Sequence, residues 1–315
     1  MSIKEASIHE LQRISVKNRY VSRNWNIQHS TRFVVDLDGS ILESSHFQHL
    51  KDKNYVKDVV ELPTSYGCAV RCKHCASALI ESPKLLSNRQ IVDLCHWTAD
   101  KALLTSSSSF LITFSGIGEG ALLGSRLFDA AAEIYSHFKC ATFTFTTAGV
   151  DSEFVALADS AAKNLPTRYL QISFLHHVDS IVHSVIPTAR NFKYSSQKLL
   201  NSIKATSAIQ VRLNIVIIEG FNSSPEIWAE WILFLSPVRE KIVIRVSALN
   251  ETEATMKFGL KPSSHNTCIA LVSTLVAGGY DAYFFASTHN DNLNCGQLVW
   301  KYQNKTSTRL PLSEA

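Results

Sequence analysis

The chain has 315 residues, with 31 Lys and Arg against 27 Asp and Glu, and apolar residues make up 45% of it. That composition supplies material for a buried core and excludes a globally disordered chain, and the apolar runs fall far short of the roughly 20 residues a membrane span needs. A net charge of +4 neither marks a nucleic-acid binder nor excludes one.

In chain order, residues 2–16 are predicted as one short helix, and residues 1–13 lack the apolar core of a secretory signal. Residues 32–36 and 40–42 flank Asp38-Gly39 and read as a small hairpin. From residue 56 the pattern changes to alternating strands and helices. Strands are predicted at 56–62, 110–114, 141–147, 169–175, 209–218, 242–249 and 280–286, all rich in Val, Ile, Phe, Tyr and Thr. Helix-period segments fall at 91–104, 127–138, 153–164, 195–205, 225–235 and 267–277. Ser87-Asn88-Arg89-Gln90 reads as a capping box for the first, and Gly278-Gly279 stops the last. Successive βα units predict an α/β fold, a partial (β/α)6-type TIM barrel, whose chemistry sits on loops after the carboxyl ends of strands. The expected organisation is a reduced N-terminal attachment over 1–55, the barrel over 56–298 and a tail over 299–315.

The lack of a secretory signal favours the cytosol, where disulfides are rare, and seven cysteines, odd in number and unevenly spread, argue against a disulfide framework. Three of them, Cys68, Cys72 and Cys75, form a C-x3-C-x2-C run between the predicted strand 56–62 and the first helix. Three thiolates on such a loop can hold three irons of a [4Fe–4S] cluster and leave the fourth iron open. A zinc knuckle needs a second ligand pair, and no C-x-x-C or H-x3-H follows at suitable spacing. Phe114-Ser-Gly-Ile-Gly118-Glu119-Gly120 follows the next strand.

This pair of motifs resembles the radical S-adenosylmethionine (SAM) superfamily, in which the open iron binds SAM and a Gly-Gly-Glu loop holds its amino group. The resemblance assigns Cys68, Cys72 and Cys75 to the cluster, and Gly118 and Glu119 to SAM. Within the superfamily, residues 32–298 resemble the RlmN/Cfr group of RNA adenosine C-methyltransferases. Gly67-Cys68-Ala69, Thr146-Thr-Ala-Gly149-Val150, Ser173-Phe-Leu-His176, Ile186-Pro187, Glu219-Gly-Phe-Asn222, Cys295-Gly296-Gln297-Leu298 and Asp38-Gly39…Glu43 carry that narrower likeness. It adds Thr146, Ser173, His176 and Asn250 as SAM-site candidates.

The resemblance implies two uses of SAM. One methylates the Cys295 thiolate by displacement. The second is cleaved reductively to a 5′-deoxyadenosyl radical that activates the methyl group for addition to an adenine carbon. Glu43 matches the carboxylate that then removes the ring proton. In the group a second cysteine, seven residues before the first cluster cysteine, attacks the methyl-carrying sulfur and releases product as a disulfide forms. Here that position is Glu61, and a carboxylate cannot play the part. Cys268 is the remaining substitute; Cys95 and Cys140 read as bystanders.

Two classes of function follow. One is a radical SAM enzyme, either an RNA methylase with altered product release or a relative acting on a small molecule or peptide. The other is a non-catalytic module that keeps the cluster and SAM site. The enzyme reading carries with it an electron donor such as flavodoxin or ferredoxin, an rRNA or tRNA substrate in the methylase case, no membrane, and a cytoplasmic monomer. Tyr20, Arg23, Trp25 and Arg32 form a candidate RNA patch, and Trp228 and Trp231 read as core.

Overall fold

The computed structural model describes residues 3–14, 25–51, 55–285 and 299–300. An antiparallel meander opens the chain: β1 (Ile3–Ile14), β2 (Trp25–Leu37), β3 (Ser40–Lys51) and β4 (Tyr55–Glu61). Asp38 and Gly39 take positive φ (53° and 80°), as the tight turn between β2 and β3 requires. The helix predicted at 2–16 is instead strand β1, which pairs along β2 with a register shift between Glu5 and Ser7. Cross-strand partners in β2, from Ile27 to Leu37, outweigh a local period that the bulge itself obscures.

The cysteine-bearing loop follows β4 and holds a short ribbon, β5 (Ser65–Tyr66) with β6 (Lys84–Leu85). The alternation is then α1 (Asn88–Lys101), β7 (Phe110–Phe114), α2 (Ser125–His137), β8 (Thr142–Thr147), α3 (Glu153–Ala161), β9 (Thr167–Ser173), α4 (Asp179–Val185), α5 (Ser196–Ala205), β10 (Val211–Ile217), α6 (Pro225–Leu235), β11 (Ile242–Ala248), α7 (Glu253–Lys257), α8 (His265–Ala277) and β12 (Asp281–Phe284). The Ser87–Gln90 capping box forms as expected. Strands β4, β7, β8, β9, β10, β11 and β12 are parallel neighbours in that order. Six strand–helix units and a seventh strand therefore make the partial barrel, and among the described residues β12 pairs with β11 alone. No described helix is long and apolar enough to cross a membrane.

Because side chains alternate across each strand, the registers sort the sheet into two faces. Val60, Ile112, Phe143, Phe145, Leu170, Ile172, Leu213, Ile215, Ile244 and Val246 are buried on one face. The other is polar. Register pairs Ser45↔Glu61, Glu61↔Thr113, Thr113↔Thr144, Thr144↔Tyr169, Gln171↔Arg212 and Asn214↔Arg245 run along it from the meander through the barrel. This polar face positions the candidate site.

Candidate active site

The cysteine loop is knitted to the glycine-rich loop after β7. Thr64 N–H donates to Ile117 O at 2.7 Å, and Gly116 N–H donates to Leu62 O at 3.2 Å. Gly116 and Gly118 are required by this contact. A Cβ on Gly116 would stand 2.9 Å from the Leu62 carbonyl, and one on Gly118, whose φ is 118°, would overlap Thr64 Oγ1 and Ser65 Oγ. Within the cysteine loop, Cys75 N–H donates to Cys72 O at 3.1 Å, Lys73 N–H to Val185 O at 2.9 Å, and Arg71 Nη1 to Ile80 O at 2.8 Å.

Cys68 is buried, and Cys72 and Cys75 are half-buried. Burial pushes the Cys68 thiol up to about 12, with the charges of Cys75 and Glu119 adding to it. Cys72 is raised by burial and by both other cysteines and Glu119, and Cys75 by burial and, in smaller part, by Glu43. The fold therefore gathers three thiols and two carboxylates whose ionised forms repel one another, an arrangement a bound cation would relieve. Among the described residues no three His, Cys, Asp or Glu side chains converge on a single ion. His74, between two of the cysteines, has Nδ1 buried without a hydrogen-bond partner among the described residues, and burial lowers it to about 4, so its ring is neutral.

Glu119 is buried, and its carboxylate accepts N–H bonds from Ala121 at 3.1 Å and Ala148 at 2.7 Å. It thus clasps the loop after β7 to the loop after β8. Gly118 lies beside it, against Thr64 and Ser65. Thr146, on β8, is half-buried, and its Oγ1 has no partner among the described residues. Ser173 ends β9 opposite Asn214. Asn250 follows β11 and is half-buried. His176 goes elsewhere: it is buried against Trp231 of α6 and Phe221, with ring centroids 6.2 Å away in both cases, and its Nδ1 accepts the Val178 N–H. Burial and the neighbouring His177 hold it at about 4. Cys295 lies outside the described residues, as do Tyr20 and Arg23.

Two acidic residues meet where the sequence showed no link. Arg32 Nη1 donates to Glu43 Oε1 at 3.1 Å, and Arg32 Nη2 lies 3.5 Å from Glu61 Oε2. Ser115 Oγ donates to Glu61 Oε1 at 2.8 Å. Glu61, Glu43, Glu119 and the cysteine loop therefore lie together at the carboxyl ends of β4 and β7. Spacing along the chain carries no trace of this, because β2, β3, β4 and β7 each supply one part. Arg212 and Arg245 were also missed; their signal is a single arginine on the alternate face of each of two strands whose other face is wholly apolar.

No family model matches the chain, and no curated protein matches it. Solved structures do. A radical SAM methyltransferase from Sphaerobacter thermophilus superposes with a TM-score of 0.70 over 92% of this chain and 80% of that one, at 18% identity. TYW1, in a structure with a lysine–pyruvate adduct bound, gives 0.50 over 76% of this chain and 80% of that one, at 11% identity. At these identities the likeness establishes the fold: this chain shares the α/β partial-barrel fold of a radical SAM methyltransferase.

Proposed function

We propose that the chain is a radical SAM enzyme. One observation carries this reading: the Cys68, Cys72 and Cys75 loop packs on the Gly116–Gly120 loop at the carboxyl ends of neighbouring parallel strands, which is where this fold places chemistry. In this reading the three thiolates hold a [4Fe–4S] cluster. With SAM bound there, the cluster would supply one-electron chemistry that cleaves SAM to a 5′-deoxyadenosyl radical. The chain's own residues do the rest. Gly118 lets the backbone of its loop lie flat on Thr64 and Ser65. Glu119 fixes that loop to Ala148, so the backbone facing SAM is rigid. Thr146, Ser173 and Asn250, from β8, β9 and the end of β11, line the same carboxyl-end rim. Flavodoxin or ferredoxin is the class of electron donor that fits, in the cytoplasm.

The RlmN/Cfr-like route through methylated Cys295 requires a resolving thiol at position 61. Glu61 is committed to Arg32 and Ser115 instead. This favours a relative of that group that releases product without a disulfide and acts on a substrate other than RNA.

The test is anaerobic reconstitution of the full chain with iron and sulfide. The expected result is about four irons per chain and 5′-deoxyadenosine on addition of SAM and dithionite. A Cys72→Ala chain that keeps its full iron content would refute the cluster assignment. Wild-type iron with no 5′-deoxyadenosine would leave the protein as a SAM-binding module. Intact mass after SAM treatment then asks whether Cys295 gains a methyl group.

A further inference from the structure

Arg212 and Arg245 stand on adjacent strands of the polar face. Each is half-buried, and each is clamped in the same way by one amide and one aromatic ring. Arg212 Nε and Nη2 both donate to Gln171 Oε1, at 3.0 and 2.7 Å, and its Cζ lies 4.6 Å from the Tyr169 ring centroid. Arg245 Nε donates to Asn214 Oδ1 at 2.7 Å, and its Cζ lies 4.7 Å from the Phe285 ring centroid. These contacts fix the guanidinium planes and leave Nη1 of Arg212 and both Nη atoms of Arg245 without a protein partner among the described residues.

Neither arginine has a carboxylate at ion-pair distance among the described residues. Of the acids on this face, Glu43 and Glu61 lie against Arg32, and Asp281 stands in register with Val243 at the start of β12. Lys57 lies on the same face, where burial and the charges of Arg168 and Arg212 disfavour its ammonium form. Two guanidiniums clamped by neutral partners, with open Nη donors and no carboxylate at ion-pair distance among the described residues, are costly in a partly desolvated interior unless an anion completes them. A planar fork is matched by a phosphate or carboxylate.

We infer that Arg212 and Arg245 form an oxyanion-binding wall inside the partial barrel, and that the substrate is a small molecule carrying a phosphate or carboxylate that reaches it. Arg245 is the fourth residue of the seven in β11, well below the carboxyl-end rim. A terminal oxyanion can enter there; the continuous backbone of a polynucleotide lies across the rim. The inference rests on the barrel interior being the substrate chamber, as the proposed function has it, but its test needs neither cluster nor radical chemistry.

The experiment is calorimetric titration of the full-length, cluster-free chain with inorganic phosphate and, separately, acetate, each balanced with chloride to constant ionic strength. Phosphate or acetate is expected to bind to wild type and to Lys163→Gln alike, and at least tenfold more weakly to Arg212→Gln and Arg245→Gln. Phosphate tighter than acetate assigns a phosphorylated substrate, and the reverse order a carboxylic acid. A parallel measurement needs no variant: phenylglyoxal modification of wild type, mapped by mass spectrometry, should be blocked by the binding anion at Arg212 and Arg245 and unchanged at exposed Arg239. Binding no stronger than that of chloride, equal binding by the variants, or no protection would overturn the inference. SAM affinity falling in step in the variants would reassign the arginines to the SAM carboxylate and overturn it too. So would a single-stranded RNA oligonucleotide that displaces phosphate and loses affinity in the same variants. Anion binding without iron incorporation would instead retire the radical SAM reading and leave the wall standing.

Discussion

Arg32 Nη2 lies 3.5 Å from Glu61 Oε2, so the position that would carry a resolving thiol is one end of a buried ion-pair network. The same guanidinium holds Glu43. Removing the shared cation leaves two carboxylates facing each other with little water. Arg32→Ala is therefore expected to cost about 3–5 kcal/mol, and Glu43→Gln only about 1–3 kcal/mol. Urea unfolding of the two variants checks the order; equal losses would show that Arg32 is not the hub.

Gly118 has a second role beyond flexibility: it is the contact point of two loops. Gly118→Ala combines an unfavourable φ with overlap against Thr64 and Ser65 and is expected to cost about 2 kcal/mol or more. Gly124 also has positive φ but open space around its Cβ position. Gly124→Ala should lose only the backbone part, about 1 kcal/mol. Thermal melts of the pair separate the two effects.

Lys57 makes stability depend on pH on the alkaline side. Burial, and then the charges of Arg168 and Arg212, bring its ammonium down to about 7 from 10.5. Between those values the unfolded chain holds a proton that the folded one has released. This group therefore adds stability as pH rises from about 7 to 10.5, and its contribution is lost on going back down. Lys57→Met should raise the midpoint of urea unfolding at pH 7 and flatten its rise toward pH 10.

His176 acts on the acid side. Its pKa is lowered from 6.5 to about 4 by burial and by His177, so the unfolded chain binds the extra proton between those values. Stability is present above about 6.5 and is lost as pH falls toward 4. His176→Phe should keep the contacts with Trp231 and Phe221 and remove that part of the acid sensitivity. If wild type and variant lose stability in parallel between pH 6.5 and 4, the burial argument is wrong.

The sequence by itself determined the alternation and the motif loop. Strand composition, the Ser87–Gln90 box, Pro225 at the start of α6 and the glycines after α8 are local signals, and each acts through neighbours on the chain. The spacing of Cys68, Cys72 and Cys75 is local in the same sense, and parallel βα order placed it at a carboxyl-end rim. Only the tertiary structure decided that residues 3–14 are a strand, because their pairing partners lie in β2. Only it turned His176 outward onto Trp231, tied Glu61 to Glu43 through Arg32, and set Arg212 beside Arg245. Those outcomes depend on the register between strands far apart in sequence. A shift of one residue would move Arg32, Glu43, Glu61, Arg212 and Arg245 to the opposite face of their strands.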